Sequence, residues 1–398
     1  MKKVLSLILA VVMMFGCVSV LSSCSGADDV FKVGFIFLHD ETSTYDKNFI
    51  DAALEATKKL GLDESQVIFK KEIPEGAACY DEAVDLVEQG CDVIFADSFG
   101  HEEWMIKAAK EFPDVEFCHA TGVKAHTEKL PNFHNAFASI YEGRYLAGIA
   151  AGMKLNEMID AGKITKEEAV MGYVGAFPYA EVISGYSSFY LGAKSVCESV
   201  TMYVDFTGSW YSPEGEANTA NALIDKGAVL ISQHADSMGA PGVCEKRNVP
   251  NVFYNGTTIS TCPNTYLIAS RINWAPFFEY MIKSTQDGTA MPYDWFGSLN
   301  TDSVKVVELN TNVAAAGTKE AIETAMAELK AGTRHVFDTN NFTVGGEKVT
   351  TYKADVDDAG DFVGETEVIE NGIFVESKYR SAPYFDLAID GITRLDVK

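Results

Sequence analysis

The feature that most limits what this chain can fold into is a strand–helix alternation that runs through it twice. Val33–Leu38 is a short apolar run, followed by helical spacing over Lys47–Lys59. Val67–Ile73 then reads as a strand, Tyr80–Glu88 as a helix, Asp92–Ala96 as a strand and Glu102–Glu111 as a helix. Val115–Ala120 and Asn135–Ser139 read as strands before a long helix over Glu142–Leu155. After the mostly polar stretch Asn156–Glu168 the pattern restarts. Strands are expected at Val170–Gly175, Thr201–Asp205, Val229–Ser232 and Val252–Tyr254, with helices at Glu181–Val196, Glu214–Lys226 and Gly239–Arg247. Thr265–Ser270 and Val304–Leu309 add strands, and Thr318–Lys330 a closing helix. Apolar strands alternating with helices of this length require a parallel sheet covered on both faces. The expectation is an α/β chain with two doubly wound lobes.

The chain has 398 residues, enough for two or three domains. The sequence assigns residues 31–155 and about 265–300 to an N-terminal lobe, and 156–264 and about 301–334 to a C-terminal lobe. Residues 335–398 form an acidic, extended tail packed on the lobes. Asp and Glu number 57 against 32 Lys and Arg, a net charge of −25, which repels phosphate backbones and argues against a nucleic-acid partner.

The N-terminus reads as an address. Lys2 and Lys3 precede the apolar run Val4–Phe15, which is short for a bilayer span. Leu21-Ser22-Ser23-Cys24 resembles a bacterial lipobox. Residues 1–23 are then a lipoprotein signal peptide, Cys24 is lipidated, and 24–30 is a linker. The mature protein is expected on the outer face of the cytoplasmic membrane, held by lipid. Of eight cysteines, six would remain besides Cys17 and Cys24, without the paired spacing of a zinc site. No metal site is expected, and their disulfide state is open.

Ligands of open α/β sheets sit beyond the carboxyl ends of the strands, and with two lobes that means the cleft between them. The loops there carry aromatics and single polar groups. Tyr45 and Phe49 follow the first strand, Phe177 and Tyr179 follow the strand that opens the second round, Trp210 and Tyr211 follow the next strand, and Trp274 follows the crossover strand. Flat aromatic faces suit a flat heterocycle or a sugar. Asp97, Asp236 and Asn255 stand just past strand ends, where each could read a ligand or cap a helix. His234 lies near Asp236 with no nucleophile motif, and there is no GxSxG, Walker loop, HExxH or GxGxxG. No catalytic set and no cofactor are expected.

Several segments resemble the basic membrane protein (BMP) family of ABC-transporter substrate-binding lipoproteins, relatives of the purine nucleoside receptor. Asp46-Lys47-Asn48-Phe49 is similar to the family's D-K-S-F, and Tyr141 to Gly152 (YEGRYLAGIAAG) to its glycine-rich crossover helix. Gly172 to Pro178 (GYVGAFP), with Glu181-Val182, resembles its second-lobe opening. Gln233-His234-Ala235-Asp236-Ser237 resembles the Q-H-T-D-S of one branch, which also carries a tryptophan loop like Gly208–Pro213 and a C-terminal extension like Phe337–Gly391.

The resemblance implies a type I periplasmic-binding fold, an interlobe purine-type ligand, either base or nucleoside, and an ABC permease as partner. Asn255 stands where nucleoside-binding members often have Asp, and Asn273 and Trp274 where they have Lys, which favours a base over a nucleoside. Ile50 replaces a family asparagine and Ser43 a tryptophan of the purine-base branch, so base recognition differs in detail. Three rival readings are a sugar or amino acid on the same fold, with Arg271 as the obvious carboxylate partner, a nucleoside hydrolase, and a surface antigen or sensor partner without transport.

Overall fold

A computed structural model describes residues 30–357 and 363–396. The signal segment and Cys24 lie outside the described residues. The first sheet contains strands β1 (Val33–Ile36), β2 (Val67–Lys70), β3 (Val93–Ala96), β4 (Glu116–Ala120), β5 (Phe133–Ala138) and, from far along the chain, β11 (Asp294–Gly297). Their order is β2-β1-β3-β4-β5-β11, and all pairs are parallel. Every residue of β1, β3 and β5 is buried, as expected of strands sandwiched between helices.

The second sheet is built from β6 (Val170–Gly175), β7 (Thr201–Phe206), β8 (Leu230–His234), β9 (Asn251–Tyr254), β10 (Tyr266–Ile272) and β12 (Val304–Val307). Its order is β12-β10-β9-β8-β6-β7, with the tail strand Ile392–Arg394 added outside β7. Only β12 is antiparallel, to β10.

Two sequence assignments need correction. Tyr266–Ile272 was expected in the N-terminal lobe, but it pairs with β9 and β12 in the second sheet. The helix Ile140–Asp160, also expected with the N-terminal lobe, packs on the second-lobe helix Ala180–Lys194 and on β10. The cause is its glycine stripe. A Cβ on Gly148 would stand 2.1 Å from the Phe189 carbonyl oxygen, and one on Gly192 would stand 2.0 Å from that of Tyr145. Two helices that approach this closely form one layer. The sequence reading also passed over the helix Ala275–Gln286, which packs on the helix Thr44–Lys59 in the first lobe.

The chain crosses between lobes at Ser139, at Asn273 and around Asn300. These crossings are tied together: Ser139 N donates to Gly297 O at 2.9 Å, and Asn273 N to Ser303 O at 2.8 Å. The tail forms two-residue strand pairs around an aromatic knot in which Phe337 stacks on Phe385 at 4.1 Å. It touches both lobes. Ser381 donates through N and Oγ to Asp294 of the first sheet at 2.7 and 2.6 Å, and Ile392–Arg394 extends the second sheet. All six cysteines among the described residues are buried free thiols. No helix among the described residues is long and apolar enough to cross a membrane.

Candidate functional site

The first lip of the cleft is organised by one helix start. Ser43 caps the helix Thr44–Lys59, its Oγ accepting from Asp46 N. Ser43 Oγ also donates to Asp46 Oδ2 at 2.6 Å, and His39 N donates to Oδ1 at 2.7 Å. Burial alone would raise the pKa of Asp46, but the His39 ring, its Nδ1 3.3 Å from Oδ2, together with the bonds from Ser43 and the His39 backbone, holds it below the ordinary value. Tyr45, in the first turn, donates its hydroxyl to Asp97 O at 2.7 Å. Asp97 is fully buried; its Oδ1 accepts from Leu38 N at 3.1 Å, and its Oδ2 has no hydrogen-bond partner among the described residues. Burial, then the charge of Asp46, push the Asp97 carboxyl well above its usual range.

The second lip is braced by Glu216. This buried carboxyl accepts from Ser237 N at 3.1 Å, Ser212 N at 3.2 Å and Gln233 Nε2 at 3.3 Å, so it clips together the loops after β7 and β8. Burial lifts its pKa to about 7. Asp236 N donates to Trp210 O at 2.9 Å, which locks the two loops in register. Asp236 is 5% exposed, and burial, followed by the charges of Asp46, Glu216 and Glu181, raises its pKa well above the ordinary value. His234 lies against Tyr254, with ring centroids 4.4 Å apart, and its Nε2 is 3.3 Å from Glu181 Oε1. Burial lowers its pKa. Beneath them, fully buried Arg144 donates to Ser232 Oγ at 2.7 Å and Tyr173 OH at 3.1 Å, among the faces of Tyr173, Phe189 and Tyr254.

The lips meet. Thr44 donates through N and Oγ1 to Asp236 O, both at 3.1 Å. Phe99 stacks on Tyr179 across the gap, with centroids 5.4 Å apart. Between them lies a cavity of only about 20 Å³, the room of a single water. Leu38, Tyr45, Ser98, Phe99 and Thr121 line it from the first lobe, and Glu181, Trp210, His234, Asp236 and Tyr254 from the second. A wider chamber of about 660 Å³ shares Phe99, Thr121 and Glu181 with it and is walled by tail residues including Arg380 and Tyr384.

Of the residues expected from sequence, Tyr45, Trp210 and Asp236 come together on this cavity. Asp97 and Phe177 stand one layer behind, Phe177 packing on Trp210 at 5.2 Å. Asn255 follows Tyr254 in a left-handed turn with φ 62°; its Nδ2 is buried without a hydrogen-bond partner among the described residues, and it does not line the cavity. Phe49 and Trp274 are corrections. They stack on each other at 4.4 Å inside the first-lobe core, because Phe49 lies one helical turn deeper than Tyr45. Arg271 also points away, donating to Asn48 Oδ1 at 3.0 Å. Phe99, Thr121, Glu181 and Tyr254 went unselected, although all four sit at strand ends or helix starts, the signal that found the others.

Two doubly wound lobes joined by three crossings, with a cavity closed between the strand ends, define a two-lobed solute-binding protein. Known proteins agree. Residues 34–331 match the model of the Bmp family, described as ABC transporter substrate-binding protein PnrA-like, and the chain belongs to that family. It is 33% identical over 320 residues to a purine-binding protein of Brucella abortus (strain 2308), covering 80% of this chain and 86% of that one. It is 27% identical over 321 residues to a putative ABC transporter glucose-binding protein of Haloferax volcanii, covering 79% and 75%. A solute-binding protein of an ABC transporter system from Aeropyrum pernix shares the fold, with TM-score 0.64 at 15% identity over 76% of this chain and 92% of that one.

Proposed function

We propose that this substrate-binding protein captures a flat, purine-type heterocycle between its lobes and presents it to an ABC permease. The observation that carries this reading is the placement of Tyr45 and Trp210, from opposite lobes, on one small cavity beside the carboxyl of Asp236. Aromatic faces hold a planar ring, and a buried acid demands a donor from it. The name of the Brucella relative adds weight to a purine. In this reading the cavity of about 20 Å³ marks where the lobes meet, and a bound ring holds them further apart than this. A ligand enters when the lobes part at the crossings, and its greater affinity for the closed form draws them together. The protein acts as a binder and not as an enzyme, and it is anchored through Cys24 on the outer face of the cytoplasmic membrane.

The Haloferax relative's name keeps a sugar as the competing ligand. An amino acid fits less well, since among the described residues no Lys or Arg lines the cavity to take its carboxylate. The test is a thermal-shift screen of residues 25–398 against bases, nucleosides, sugars and amino acids. A ligand that binds only the native state raises Tm with concentration. A rise with purine bases supports the reading, and a rise with glucose alone sinks it.

A further inference from the structure

The cavity is acidic from both sides. Asp236, 5% exposed, and Glu181 line it from the second lobe, while Asp46 and Asp97 of the first lobe, each 0% exposed, stand behind its lining. Among the described residues Lys and Arg are absent from its lining, and Arg144 beneath the floor spends donors on Ser232, Tyr173 and the Phe253 carbonyl. Asp46 is answered by His39 and Ser43, and Glu181 by His234. The Asp236 carboxyl has no hydrogen-bond donor among the described residues, although its own backbone is fully engaged by Trp210 and Thr44.

These acids belong to different lobes, so closure is what brings them together. Thr44, which donates to the Asp236 carbonyl, stands two residues before Asp46 on the same helix start. With the lobes apart, water lies between the two sets and screens them. With the lobes shut and the cavity empty, a charge on Asp236 would face that of Asp46 at low dielectric, so closure costs either that repulsion or a proton taken up by Asp236. A ligand that brings N–H donors on one edge removes that penalty, and does so only in the closed form.

Resting on the heterocycle reading above, we propose that the cleft selects ligands with an amidine-type edge, a ring N–H beside an exocyclic amine, and that this edge seated on Asp236 releases a charge-based block on closure. Two parallel N–H bonds match the two oxygens of one carboxylate. A ring that offers carbonyl oxygens along that edge, or that carries negative charge, leaves the acids opposed.

The test uses calorimetry on residues 25–398 with guanine, hypoxanthine and xanthine. These share one bicycle and differ at the edge. Guanine is expected to bind about tenfold tighter than hypoxanthine, which lacks the exocyclic amine, and more than tenfold tighter than xanthine, which puts a carbonyl there. Asp236→Asn should cut the preference for guanine over hypoxanthine to threefold or less. X-ray scattering of the ligand-free protein should show Asp236→Asn, and more weakly Glu181→Gln, to be more compact than wild type. Hypoxanthine binding as tightly as guanine, or an undiminished preference in Asp236→Asn, overturns the selectivity while leaving a purine ligand intact. Absence of binding by every purine would instead remove the heterocycle reading. Compaction of Asp236→Asn would then still support the charge block, and unchanged scattering would overturn it.

Discussion

Two aromatic pairs in the first lobe and at its lip look alike in sequence and differ in everything else. Phe49 and Trp274 stack at 4.4 Å and are shut in the core, while Tyr45 and Trp210 face each other's lobes across the cavity. Tyr45 and Phe49 are neighbours on one helix, their rings 4.8 Å apart, so the boundary between packing and recognition falls within a single helical turn. Being near a strand end places a residue in the right loop. Which way the helix has turned by then decides whether its side chain meets core or cleft.

That contrast can be broken by experiment. Trp274→Ala carries the largest expected effect, a loss of about 3–5 kcal/mol in folding stability from an unfilled core, measured by urea unfolding. If it instead leaves stability intact and abolishes binding, Trp274 belongs to the site. Trp210→Ala should do the reverse, weakening ligand binding by about 1–3 kcal/mol with little change in the stability of the empty protein, as stacking contacts usually do.

The pH dependence separates the lips from the core further. Glu216 is raised from its ordinary 4.5 to about 7, so the folded state holds a proton that the unfolded chain releases. Its stabilising contribution is therefore complete below about 4.5 and is lost as pH rises through about 7, at about 1.4 kcal/mol per unit. Glu142 and Glu376, each also raised to about 7 chiefly by burial, add slope of the same sign. Glu216→Gln should flatten part of this fall between pH 5 and pH 8, and an unchanged slope would mean that Glu216 is ionised in the fold. The smallest effect is expected from Asn255→Gly. It relieves a left-handed residue at φ 62°, gains less than about 1 kcal/mol, and shifts affinity by no more than about threefold. A larger loss of affinity would make Asn255 a reader of ligand.

Most of the α/β framework was legible because buried parallel strands are continuous apolar runs, as at Val93–Ala96 and Val170–Gly175. Lobe membership was less so. Nothing local to Tyr266–Ile272 says which sheet it joins; that is settled by pairing with β9. The strand Asp294–Gly297 was missed because Trp295 and Phe296 are half exposed at a sheet edge and give no buried pattern. In the site, Tyr45, Trp210 and Asp236 were legible from strand ends. Thr121 also follows a strand end, but its place on the cavity depends on a left-handed turn with φ 66° that threonine rarely adopts.

The far-reaching strands also set an order of assembly. The first sheet ends on Asp294–Gly297, so its edge at β5 stays unpaired on a growing chain until almost the whole second lobe has been made. The second sheet ends on Ile392–Arg394, within the last described turn of the sequence. Each lobe thus waits for a segment that lies beyond the other, and no single cut yields a half with a finished sheet. The two lobes move as separate bodies in the proposed cycle, yet they are inherited, made and folded as one.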